Sequence, residues 1–96
     1  MGKIRGTNGR VTTGGRPAAT LSGWAGEWTD PDTLQLDATV VTYNEYWLEH
    51  GGTIDLTLNA GNSELRWFDV HPVIAGGHVS VTLTGKPEKR RTDGKV

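Results

Sequence analysis

The chain has no cysteine, which excludes disulfides, thiol nucleophiles and the cysteine-based zinc sites and fits a reducing or redox-indifferent setting. Large apolar side chains are also scarce. Only 34% of the 96 residues are hydrophobic, against fourteen glycines, with a single phenylalanine and a single methionine. No apolar run approaches the roughly 20 residues that span a bilayer, and none near the start resembles a signal-peptide core. Met1-Gly2 is followed by Gly6 where a myristoylation motif wants Ser or Thr. These absences predict one small domain, made in the cytoplasm, with no membrane partner. They also give weight to the four tryptophans, Trp24, Trp28, Trp47 and Trp67. In so glycine-rich a chain they are expected as core or interface anchors.

The net charge of −1 conceals a segregation. Residues 1–16 carry Lys3, Arg5, Arg10 and Arg16 and no acid, whereas residues 17–56 carry seven acids, Asp37 and Asp55 among them, and no base. The tail from Lys86 is basic again. Basic ends on an acidic body suit contact with another copy of the chain, and a near-zero net charge favours that over nucleic acid.

Periodicity supplies the elements. Leu34, Leu36, Ala38 and Val40 alternate with polar residues, as in a half-buried strand. Thr42 with Glu45 has the form of a capping box and predicts a helix over about 42–50, with Tyr43, Tyr46, Trp47 and His50 on one face and Gly51-Gly52 ending it. Ile54, Leu56 and Leu58 restore the strand period. Upstream, residues 1–9 read as a flexible arm that orders against a neighbour and whose removal leaves the domain folded. Arg10–Thr13 and Ala18–Trp28 are strands joined by a Gly14-Gly15 hairpin, the second bulged at Gly23 and Gly26. Thr29-Asp30-Pro31-Asp32 is a turn. Downstream, Glu64–Val70 and Val79–Leu83 are strands, His71-Pro72 marks an edge or bend, and residues 87–96 form a mobile basic tail. The sum is six or seven mainly antiparallel strands over residues 10–86, a β-sandwich or open barrel with one short helix between two strands.

Catalytic and cofactor chemistry finds no constellation here. His50, His71 and His78 have no metal-ligand spacing, the serines no nucleophile elbow, and no phosphate-binding or dinucleotide fingerprint is present. Asp30/Asp32 belong to a turn and Glu45/Glu49 to a solvated helix face. The expectation is a non-enzyme without metal, cofactor or small-molecule substrate. A carbohydrate-binding sandwich, with tryptophans as a stacking platform, is the alternative from another class.

The order of elements carries a resemblance. Ile4-Arg5-Gly6-Thr7-Asn8-Gly9-Arg10-Val11 leads into Gly14-Gly15-Arg16-Pro17 and a strand from Ala18 to Trp28. A strand–helix–strand unit follows, then Glu64-Leu65-Arg66-Trp67-Phe68-Asp69-Val70 and a last strand running into Gly85-Lys86-Pro87-Glu88. This resembles the tail tube proteins of tailed bacteriophages. The resemblance implies a virion structural protein: a β-sandwich subunit forming rings, by analogy hexameric, that stack into a conduit for DNA beside other virion proteins. On that reading Ile4, Arg5 and Arg10 of the arm contact a neighbouring subunit, and Asp37 and Asp55 are candidates to line the lumen and repel phosphates in non-specific proximity to DNA. Only Thr29–Thr33 stand where the family carries a long inter-ring loop, so a capsid decoration protein or a neck or tail-terminating ring subunit is the alternative within the class.

Overall fold

Nine strands and one helix, set out by a computed structural model that describes residues 2–91, follow one another along the chain. They are β1 (Lys3–Gly6), β2 (Asn8–Thr13), β3 (Arg16–Asp30), β4 (Thr33–Tyr43), α1 (Glu45–His50), β5 (Ile54–Ala60), β6 (Ser63–Trp67), β7 (Val73–Ala75), β8 (His78–Thr84) and β9 (Glu88–Arg91). All pairings are antiparallel. The sheet order is β7-β8-β4-β3-β2-β5-β6-β9, with β1 also on β3, and the sheet does not close. This is the mainly β class with one inserted helix that the alternating periods predict.

Strand β3 sets the shape. Gly14 and Gly15, at φ +56° and +82°, turn β2 back onto it, the two left-handed positions a tight hairpin requires. Its first part pairs with β2 and its last part with β1. Register shifts against β4 at Thr20/Leu21 and Leu21/Gly23 mark where the ladder is bulged and the strands bend. The sheet thus has two halves, β7-β8-β4-β3-β1 and β3-β2-β5-β6-β9, with β3 shared. Their inner faces meet in one core: Leu34, Leu36, Val79, Val81 and Leu83 from the first, and Val11, Leu21, Leu56, Leu58 and Trp67 from the second. The shortest extent, 22 Å, is that of two sheet layers with their side chains.

Several expectations are corrected. The arm over residues 1–9 is strand rather than loose chain from Lys3 on: β1 and β2 are one strand interrupted at Thr7 and keep a common register on β3, with Gly6 opposite Trp24 and Gly9 opposite Leu21. Composition hides this because Gly6 and Gly9 contribute bare backbone where large neighbours fill the space. Part of the mobile tail is β9, paired with β6; residues 92–96 and Met1 lie outside the described residues. The helix begins at Glu45 with Asn44 as its cap, the Asn44 side chain accepting from the Trp47 amide. Thr42 cannot cap, because it is still opposite Thr20 in β4 and the ladder continues to Asn44, whose amide donates to Ala18 O. Gly51 ends the helix in right-handed geometry, and Gly52 takes the left-handed step at φ +99°. The run Glu64–Val70 stops as a strand at Trp67. Phe68 follows the buried Trp67 onto the outer face, and Asp69 at φ +54° returns Val70 to the core.

Candidate functional site

The surface features that stand out are sheet margins rather than a chemical centre. Along β1, Gly2 O accepts from Trp28 N at 2.8 Å. In an antiparallel ladder the bonded pairs alternate, so Gly2, Ile4 and Gly6 direct their backbone groups at β3, while Lys3 and Arg5 direct theirs away from it. Strand β5 would be next across that edge, but its pairing with β2 stops at Asn8 and Asn59, and Gly61-Asn62 turns the chain into β6. Among the described residues β1 is therefore paired along one edge only, with β5 coming close to its other side at Gly6. At the opposite margin of the same half, β7 pairs only with β8 among the described residues. Val73 on it is 66% exposed, and Pro72 just before it has no amide to donate.

Four antiparallel steps separate β1 from β7, so the two margin strands run in the same direction. Between them the outer face of the half-sheet is polar. A shallow groove of about 560 Å³ lies along Lys3, Arg5, Glu27, Thr29, Gln35 and Asp37. Gln35 bridges to β8, accepting from the Thr82 hydroxyl at 2.6 Å. Two cations and two anions share this groove, so it has no dominant sign. Among the described residues no cluster of three or more His, Asp or Glu could hold a metal ion.

The residues singled out by sequence fall in three groups. Ile4 is half-buried against the core and Arg5 lies exposed beside the groove. Arg10 is on the other half, where Nη1 meets Glu64 Oε2 at 3.1 Å. The arm contacts are thus met in part inside the chain. Asp37 and Asp55 are not brought together: Asp37 is exposed on the groove face, whereas Asp55 is on β5, 3.5 Å from Arg66 Nη2 and accepting from the Asp69 amide. They lie on the outer faces of different halves of the sheet. Trp24 and Trp67 are each 3% exposed, and Trp28 and Trp47 are half-buried against the core. The Trp24 indole donates to Asn8 O at 2.9 Å, and the Arg16 guanidinium lies 4.5 Å over the Trp47 ring. No pair of these rings stands clear of the surface as a platform for sugar stacking.

The exposed apolar residues are different ones: Val41, Tyr43, Tyr46, Phe68 and Val73. Tyr46 packs edge-on to Trp47 at 5.2 Å, and Phe68 lies under the Arg66 guanidinium at 5.0 Å. Two signals in the sequence point toward this group: Pro72, which marks an edge, and the alternation that turns Phe68 away from Leu65 and Trp67. Alternation sets Phe68 on the face opposite Trp67, as found, but also sets Val70 there, and the turn at Asp69 instead buries Val70.

Fold and margins together define an open antiparallel β-sandwich whose margin strands β1 and β7 each pair on one side among the described residues. No protein-family model, curated protein or solved structure matches the chain.

Proposed function

We propose that this chain is a non-catalytic structural subunit that assembles with copies of itself by continuing its sheet from one subunit to the next. The role is the one implied by the resemblance to tail tube proteins: a ring component of a virion, made in a host cytoplasm, with rings stacked into a conduit and in contact with other virion proteins. The observation that carries the reading is the pair of open margins. β1 and β7 bound the same half-sheet on opposite sides and run in the same direction. A contact between β7 of one copy and β1 of the next is heterologous, so a rotation that repeats it closes a ring. The joint is a parallel strand pair, and it satisfies the outward backbone groups of Lys3 and Arg5. Unpaired edges are aggregation hazards that natural sheets cover or pair, and ring closure removes both at once.

Negative-stain electron microscopy with mass photometry over a range of concentrations tests this directly. Rings or tubes with a central hole are the expected result. A monomer at every concentration, or a compact trimer without a hole, refutes it. Arg5→Pro locates the joint: proline there removes an outward amide and leaves the β1–β3 ladder intact, so the variant should stay folded and lose the rings. Rings that persist in Arg5→Pro place the contact elsewhere.

A further inference from the structure

The outer face of the half-sheet β7-β8-β4-β3-β1 divides into side chains that have partners and side chains that do not. Toward β8, Gln35 donates to the Ser80 hydroxyl at 3.5 Å and accepts from the Thr82 hydroxyl at 2.6 Å. Toward β1, the charges of Lys3, Arg5, Glu27 and Asp37 make no ion pair or side-chain hydrogen bond among the described residues. The register fixes where they stand. Arg5, Ala25 and Asp37 form one row across β1, β3 and β4, and Lys3, Glu27 and Gln35 form the next. Neighbouring strands are about 4.8 Å apart, so the Arg5 and Asp37 positions are roughly 10 Å apart. Only the exposed Ala25 lies between them. The groove thus holds its free cations on β1 and its free anions on β3 and β4.

We infer that this face packs against the same face of a second copy, in an isologous pair whose two-fold axis runs along β3. Such an axis exchanges the two sides of β3, so β1 of one copy lies over β4 of the other. Arg5 then faces Asp37 of the second copy in the same row, and the contact is made twice. One row on, two Lys3 and two Glu27 alternate around the axis, which leaves each carboxylate between two ammonium groups. Ala25 sits on the axis, where its small side chain lets the sheets approach to about the 10 Å of face-to-face packing. The occupant is a second copy because the free charges complement themselves under this operation, and complementary charge selects partner and register. A two-fold across the strands would instead lay β1 on β1, cations against cations. The contact uses a face and no strand edge, so it stands apart from ring closure.

The absence of native cysteine makes the test clean. Ala25→Cys places a thiol on the axis, and a short bismaleimide then joins two copies whose outer faces meet; denaturing electrophoresis and mass spectrometry read the product. The expected result is a covalent dimer of twice the 10.4 kDa chain. Its yield should fall several-fold as salt is raised to about 1 M, where surface charges are screened. Adding Arg5→Asp alone, or Asp37→Arg alone, sets like charges face to face and should lower the yield several-fold. Both reversals in one chain restore opposite signs, as does mixing the two single-reversal chains, and in each case the dimer should return. Arg5, Ala25 and Asp37 are all exposed, so circular dichroism should show each variant folded. Arg5→Asp also keeps the backbone amide that the ring joint uses, so rings that persist while the cross-link is lost tell the two contacts apart. A cross-link indifferent to the single reversals, or one that the double reversal fails to restore, overturns the face pairing.

Discussion

Gly6→Ala tests whether the first nine residues are an integral strand or a loose arm. A Cβ at position 6 would lie 2.5 Å from Cζ2 and 2.6 Å from Cε2 of Trp24, and 2.7 Å from the carbonyl oxygen of Asn59. The ring has little room to withdraw, being 3% exposed and tied through Nε1 to Asn8 O. Overpacking of this kind costs about 1–3 kcal/mol. Domains of 60–100 residues lose about 4–8 °C per kcal/mol, so the melting temperature should fall by roughly 5–20 °C. Circular dichroism and tryptophan fluorescence melts measure it. A second variant assigns the cause. Trp24→Leu alone is destabilising, because it opens a cavity and leaves the Asn8 carbonyl without its donor. In that background Gly6→Ala should cost about 1 kcal/mol less than it does in the native chain, since the ring it strikes is gone. The relief is partial, as the Asn59 carbonyl remains. An unchanged melting temperature for Gly6→Ala, or strict additivity with Trp24→Leu, would refute the packing of β1 and restore the loose arm.

Two further outcomes are expected. Asn44→Ala should cost about 0.5–2 kcal/mol through loss of the helix cap, whereas Thr42→Ala should cost clearly less; urea titrations that rank the two in the reverse order would return the cap to Thr42. Glu64→Gln removes the carboxylate partner of Arg10 at a partly exposed site, so it should cost about 0.2–1 kcal/mol. That loss should shrink in high salt, and a salt-independent difference between the two melts would point to packing instead.

The fold was legible where one residue's neighbours in sequence are also its determinants. Leu34, Leu36 and Ala38 alternate because one face of β4 is buried, and Val79, Val81 and Leu83 do the same on β8. Gly14-Gly15 and Gly76-Gly77 mark hairpins because each turn needs positive φ, and all four glycines have it. The parts that escaped were those whose cause lies far along the chain. β1 has too few apolar side chains to announce a strand, and it is ordered by the ring of Trp24, eighteen positions beyond Gly6. β9 has none at all and is ordered by the ladder of β6. Asp37 and Asp55 each sit on a strand with the expected alternation, but alternation says only that a residue faces outward, not which half of a bent sheet it faces outward from.

By itself, then, the sequence determined the β class, the hairpin turns, the inserted helix and the tryptophans as burial anchors, because periodicity, turn chemistry and side-chain size act over a few residues. Only the tertiary structure decided that the arm is a strand, that the acids Asp37 and Asp55 part company, and that β1 and β7 end the same half-sheet unpaired. Those outcomes follow from long-range pairing and from the bend in β3, which set partners that no local pattern encodes.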